Sequence, residues 1–298
     1  MFKMNSQFIL IIFISLLILN IVLTFQVKAV ESSLDTSISL NSKQLKQGKA
    51  LFIRIENNHQ IKKITFNKQE YQLEKDKNSD TLIAFIPLSY WLNPGNYQLK
   101  IYGDNNTINK DIEVLSGGFK KSYITVNSSK EELVIPQKKE TVERKHKDNQ
   151  LISEARKNSA AEKLWKGKFI WPVKDIISTP FGATRYVNGK LNNRHSGIDI
   201  AAPRGTAIKA TASGIVKLST ELIVTGNTII IDHGWNIFSS YSHLDSTNVT
   251  ARQEVTEGDI IGSIGSTGFS TGPHLHWTVT VNGIFINPEQ FIEDYFTL

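Results

Sequence analysis

Apolar and polar positions alternate with a period of two through much of the first half of the chain. Between Leu34 and Val126 the runs LFIRIE (51–56), TLIAFI (81–86) and YQLKIY (97–102) read as half-buried strands, because successive side chains of a strand point to opposite faces. Asn93-Pro94-Gly95 and Gly103-Asp104-Asn105-Asn106 read as the turns between them. Short strands separated by such turns predict a small β-sandwich over residues 31–126. It holds no catalytic constellation, and its His59 reads as a loop residue.

The texture changes over 127–168, where both charge signs are dense. Glu140 to Trp165 predicts one exposed helix with opposite charges three and four apart, a linker or brace whose His146 faces water. From Phe169 to the end the pattern returns to strands punctuated by glycine: TIIIDHG, FSSYSHL and HLHWTVTVNG, with STGFSTGP as a turn-rich loop. Residues 169–298 therefore predict a second, antiparallel sheet domain of ordinary size, and the chain as a whole is mostly β.

Residues 1–30 read as a targeting segment. Phe8 to Phe25 is apolar except for Ser15, Asn20 and Thr24, and Val27-Lys28-Ala29 offers the small residues of a cleavage site. As a helix, residues 8–25 span roughly 27 Å, nearly the thickness of a bilayer's hydrocarbon core. Both a cleaved signal and an uncleaved membrane anchor fit. In either case the remainder works outside the cytoplasm, in the cell envelope or beyond it.

The formal net charge is +6, but much of the excess lies in the polar linker, and no basic patch with interleaved aromatics appears, so nucleic acid is not an expected partner. Cysteine is absent, which excludes disulfides and thiol catalysis and leaves His, Asp and Glu to hold any metal.

Of the seven histidines, five fall between 195 and 276. In HLHW, His274 and His276 are two apart, so a strand projects both from one face and turns Leu275 and Trp277 to the other. In RHSGIDIAAPRG, Gly197, Ile198, Ile200 and Pro203 argue against helix, and a strand would put His195, Gly197 and Asp199 on one face with room left at Gly197. His243 lies in YSHL. This inventory suits a catalytic zinc, which takes three ligands from His, Asp or Glu and keeps a position open for water. With no H-E-x-x-H to supply a glutamate base, the spare histidines are the candidates for proton transfer and oxyanion support.

Six motifs in order, STPFG, HSGIDIAAPRGT, GNTIIIDHG, YSHL, VTEGDIIGSIGSTGFSTGPHLHW and NGIFINPEQF, make residues 169 to 292 resemble the M23 family of lysostaphin-type zinc metallopeptidases, which cut peptidoglycan peptides. The resemblance implies one zinc per catalytic domain, with His195, Asp199 and His276 as ligands. It further implies His243 and His274 as the catalytic histidines, with His274 as general base and His243 stabilising the transition state. The substrate it implies is a stem or cross-bridge peptide of the wall. The N-terminal sandwich is similar in layout to the Ig-like domain that precedes such peptidases. His233 reads as a turn residue beside Gly234, and Trp277 and Tyr241 as packing residues near the groove. One departure stands out: FGATRYVNG has Thr184 where the family carries arginine, with Arg185 next, which bears on one groove-edge loop.

Two other functions compete. Members of this fold that have lost metal ligands serve as non-catalytic adaptors activating wall amidases, but all five site residues are present here. VTEGDIIGSIGSTG has the rhythm of a lipoyl- or biotin-carrier hairpin, yet no lysine lies between Val255 and Gly268 for attachment.

Overall fold

The computed structural model describes residues 38–56, 61–77, 79–104 and 106–293; residues 1–30, expected to be a targeting segment, and His59 lie outside them. Among the described residues no helix is long and apolar enough to cross a membrane.

Residues 38–115 form two facing sheets. One runs β1 (Ile38–Leu40), β3 (Ala50–Ile55), β7 (Leu82–Pro87), β6 (Glu74–Lys75). The other runs β2 (Gln44–Lys46), β9 (Thr107–Leu115), β8 (Gly95–Tyr102), β4 (Lys63–Phe66), β5 (Gln69–Tyr71). Leu51, Ile53, Ile55, Ala84 and Ile86 of the first meet Ile64, Phe66, Leu99, Ile101, Ile112 and Val114 of the second in a shared core. β8 keeps the expected alternation, with Leu99 and Ile101 inward and Gln98 and Lys100 in solvent.

β3 and β7 depart from it. Their second face, Ala50, Phe52, Ile83 and Phe85, is buried too, in the core cluster of the C-terminal half, where Phe85 meets Trp235 with ring centroids 6.4 Å apart. A sheet covered on both faces needs near-continuous apolar strands, which is what ALFIRI and LIAFIP are. Polar contacts seal the same junction: the buried Gln290 side chain accepts from the Ala50 N–H at 2.6 Å and donates to the Ala50 carbonyl at 2.8 Å.

The C-terminal half is built on a ten-stranded antiparallel sheet. Its main order is β11 (Ile176–Thr179), β14 (Ile198–Ala201), β21 (His274–Val281), β18 (Ile237–Thr247), β17 (Gly226–Asp232), β16 (Gly214–Leu222), β19 (Glu254–Val255). β15 (Ala207–Lys209) and β20 (Ile260–Ile264) pair beside β18, β22 (Ile284–Ile286) pairs with β21, and a short helix, Glu289–Ile292, carries Gln290. One face buries Ile198, Ile200, Tyr241, Leu275, Trp277 and Val279. Tyr241 and Trp277 are fully buried packing residues.

The last strand of the two facing sheets ends at Leu115, and the next strand, within the segment expected to belong to the sandwich, pairs elsewhere. β10 (Lys121–Ile124) pairs in parallel with β12 (Thr184–Val187), which turns back into β13 (Lys190–Arg194) to make a three-stranded sheet. Helix α1 (Ser128–Val134) follows, its first turn capped by the Asn127 side chain accepting from the Lys130 N–H. Helix α2 (Lys139–Ala155) ends ten residues before the expected Trp165. The chain leaves helical geometry at Asn158, φ +52°, and runs inward so that Trp165 packs between Phe169 and Trp235, ring centroids 5.8 and 5.7 Å away. Tertiary burial of one indole outweighs local helix propensity there. α2 braces the sheet: Ile152 and Ala155 cover Ile230 and Phe238, and buried Asp148 accepts from the Ile223 N–H at 2.6 Å. His146 is exposed, as expected.

Candidate metal centre

Register brings the site together. In the β14–β21 pair Asp199 stands opposite His276, and Ala201 opposite His274, so the carboxylate and both β21 histidines project from one face. His195 does not come from that strand face. It sits in the connection between β13 and β14, held by backbone bonds to Ala183 and Gly182, and reaches the same point from the side. Gly197 serves a purpose other than leaving room between His195 and Asp199: a Cβ there would lie 2.1 Å from the Trp277 carbonyl oxygen, so the close approach of β14 to β21 requires glycine.

His243 arrives by a bulge. The β17–β18 register shifts between Ile229↔Tyr241 and Asn227↔Leu244, which inserts one extra residue in β18, and His243 takes φ +67°. A non-glycine residue in that region is strained, and the bulge turns its ring out of line toward His274, 4.8 Å away ring to ring.

The three donor atoms form a tight triangle. His195 Nε2 lies 2.9 Å from Asp199 Oδ1 and 2.9 Å from His276 Nδ1, and His276 Nδ1 lies 2.8 Å from Asp199 Oδ1. Hydrogens cannot satisfy all three edges. The Pro180 carbonyl only accepts, so His195 Nδ1, 3.0 Å from it, carries the hydrogen and leaves Nε2 of the neutral ring bare, facing a carboxylate oxygen. Were both rings to donate to Asp199 instead, the nitrogen–nitrogen edge would join two donors. A divalent cation satisfies the three lone pairs at once, and two imidazoles with one carboxylate are the donor set of a catalytic zinc. These residues, all buried, fit a zinc ion, and they are the His/Asp/Glu group among the described residues able to hold a metal.

The second oxygen of Asp199 is engaged by Arg185, whose Nη2 lies 3.2 Å from Oδ2. Arg185, the residue at the sequence departure, therefore reaches the centre itself and not only the groove-edge loop. Its misaligned position in the FG motif was the one signal of this. Burial by itself raises the Asp199 carboxyl, but without a cation the neighbouring His195 and His276 rings, when protonated, donate to it and add positive charge, which outweighs burial and holds the group well below the usual carboxylate range. Burial lowers His276 to about 4. Burial, then the charges of His274 and His276, lowers His243 to about 3.

Two histidines keep a nitrogen unspent. His274 Nδ1 donates to the Gly272 carbonyl at 2.8 Å, so its Nε2 lone pair faces the centre, 3.8 Å from Asp199 Oδ1. His243 Nδ1 donates to the Thr267 carbonyl at 2.8 Å in the same way. Both rings border a cleft walled by Arg185, Ser178 and Thr179 on one side and by Phe269 to Pro273 on the other. His233 lies elsewhere. It follows β17 beside Gly234 as expected, but it is a fully buried core residue with both nitrogens used, on the Ser213 carbonyl and the Ser239 hydroxyl, each at 2.8 Å.

The mostly β fold thus carries a two-histidine, one-carboxylate group able to hold a metal, beside a pair of histidines with a free ring nitrogen each. Residues 193–288 match the model of peptidase family M23. A 112-residue stretch, 38% of this chain, is 39% identical to the DD-carboxypeptidase/endopeptidase Mpg of Neisseria meningitidis, covering 26% of that protein. A 123-residue stretch, 41% of this chain, is 37% identical to the murein hydrolase activator NlpD of Escherichia coli, covering 30% of it. The chain thus spans under a third of the length of either relative. A solved structure from Pseudomonas aeruginosa described as a peptidase M23 shares the fold over 83% of this chain and 95% of its own, with a TM-score of 0.61 at 23% identity.

Proposed function

We propose that the protein is a zinc-dependent endopeptidase acting in the cell envelope on the stem or cross-bridge peptides of peptidoglycan. The observation that carries this reading is the donor triangle of His195, Asp199 and His276 lying beside two histidines whose Nε2 lone pairs are uncommitted. Zinc held by the triangle would supply a Lewis acid that polarises the scissile carbonyl and acidifies water.

The remaining chemistry belongs to the chain. His274 Nε2 takes the proton of the attacking water, its ring held in the accepting tautomer by the Gly272 carbonyl. Ring-to-ring proximity to His243 lets the pair hold that proton at an Nε2 facing the cleft, from which it supports the oxyanion and then passes to the departing amine. Arg185 keeps Asp199 oriented through its second oxygen.

NlpD, named as an activator, favours the alternative of a non-catalytic adaptor for wall amidases. A surface that only docks a partner has no use for five converging site residues in these tautomers, and the endopeptidase reading is preferred. Digestion of purified peptidoglycan followed by mass measurement of the released muropeptides tests it. Cleaved peptides, abolished by chelation and restored by zinc, are expected. Intact peptides from zinc-loaded protein would overturn the reading in favour of the adaptor.

A further inference from the structure

The cleft has a wall that does not come from the family-matched residues. Ser122, Tyr123 and Ile124 of β10 line the lobe that holds Asp199, His243 and His274, and Val134 of α1 lines the adjoining lobe with His195 and His276. The segment is fastened deliberately. The Asn188 side chain accepts from the Val126 N–H at 3.0 Å and donates to its carbonyl at 3.1 Å, Lys190 pairs with Glu131, and Lys130 donates to the Gly268 carbonyl across the cleft. Yet among the described residues no hydrogen bond joins its side chains to the five site residues, so it frames the cleft without plugging it.

β10 is the last strand of its sheet, and among the described residues nothing pairs with its second edge. The Thr184 N–H bonds the Lys120 carbonyl and the Asn188 N–H bonds the Ile124 carbonyl, so main-chain groups of even-numbered residues point to β12. Alternation turns the N–H and carbonyl of Tyr123 to the open edge. Consecutive side chains also alternate: Ser122 stands opposite Arg185 on the site side, whereas Tyr123 stacks on Tyr186, ring centroids 5.1 Å apart, and is 70% exposed. That all three residues nonetheless border one lobe means the strand offers its edge to it. An open strand edge is a ready template for pairing with another chain, and this one, Lys121–Ile124, borders the cleft that holds Asp199, His243 and His274.

Resting on the endopeptidase reading, we infer that β10 is a docking edge for the substrate: the peptide adds as a strand along Tyr123, its main chain bonded to the Tyr123 N–H and carbonyl, and is thereby aligned past His274. Main-chain pairing supplies register and reads no side chain, so selectivity falls to the Phe269–Pro273 wall opposite.

The test uses soluble muropeptides from purified peptidoglycan and the full chain. In His274→Ala, which would hold them uncut, saturating muropeptide should slow hydrogen exchange at the Tyr123 amide at least about tenfold. In the active protein, Tyr123→Pro, which removes the N–H without touching the β12 ladder, should raise KM roughly five- to tenfold with kcat within about twofold, the effect of one lost main-chain bond. Tyr123→Ala keeps the N–H and should stay within about threefold. An unchanged Tyr123 amide at saturation, or proline and alanine variants that behave alike, would overturn the inference while leaving hydrolysis intact. Protection of Tyr123 without any hydrolysis would instead sink the endopeptidase reading and leave the docking edge standing. The exchange measurement decides the matter even if the proline variant fails to fold.

Discussion

His233 and His243 lie at opposite ends of the β17–β18 ladder and are both buried, yet their ring nitrogens are used differently. Burial lowers both, to about 4 and about 3. His233 spends both nitrogens inside the core and packs against Phe169, ring centroids 4.9 Å apart. His243 spends one and is bent by a bulge to face its other toward a cleft. Depth of burial and a shifted pKa therefore do not distinguish a structural histidine from one proposed to take part in chemistry. The unspent nitrogen and the strained backbone that aims it do.

Substitutions should separate the two regions in order of effect. Asp199→Ala or His276→Ala, which remove a donor from the triangle, should cut muropeptide hydrolysis by at least about 10³-fold and abolish stoichiometric zinc uptake measured by metal analysis. His274→Ala should lose about 10²–10⁴-fold in kcat while still binding zinc, which separates proton transfer from metal binding. Full zinc occupancy in the first pair, or undiminished kcat in the second, would break the assignment.

His243→Gly should cost roughly 10²–10³-fold in kcat with a melting temperature near the parent's, because glycine relieves the left-handed backbone at φ +67° and so offsets the lost packing of the ring. His233→Ala should do the reverse, losing about 2–4 kcal/mol of stability in denaturant titration, since a cavity, an unpaired Ser213 carbonyl and an unpaired Ser239 hydroxyl remain, with activity kept where the protein is folded. A variant of His233 that folds normally but is inactive would erase the distinction.

A pH measurement sharpens it further. Desolvation lowers His233 to about 4, against smaller raising effects from the Ser213 hydrogen bond and the Asp232 charge, whereas an unfolded histidine titrates near 6.5. The native ring stays neutral where the unfolded ring takes a proton. Its contribution is thus complete above about pH 6.5 and is lost as pH falls toward 4, by at most ~3 kcal/mol. The stability difference between the parent and His233→Ala, followed by urea denaturation from pH 7.5 to 4, should shrink over that window. The smallest effect belongs to Arg185→Met, expected to weaken zinc affinity about 10–100-fold through a freer Asp199.

Periodicity and composition determined much of this protein by themselves: two successive β regions, a helical linker, and a strand that must project His274 and His276 together. These follow from local rules, chiefly the two-residue repeat of a strand, which need no knowledge of what lies across the sheet. The order of the M23 motifs pointed further, to the residues that meet.

Only the tertiary structure decided the rest. That β3 and β7 are covered on both faces depends on neighbours such as Trp235, 150 residues beyond Phe85, and the apolar run looked the same before that neighbour was known. Helix α2 stops where it does because Trp165 is needed in a distant core. The twist of His243 out of its strand, the hold of Arg185 on Asp199 and the placing of β10 along the cleft each arise from register and packing between segments remote in sequence. Long-range pairing energies settle such features, and no local pattern encodes them.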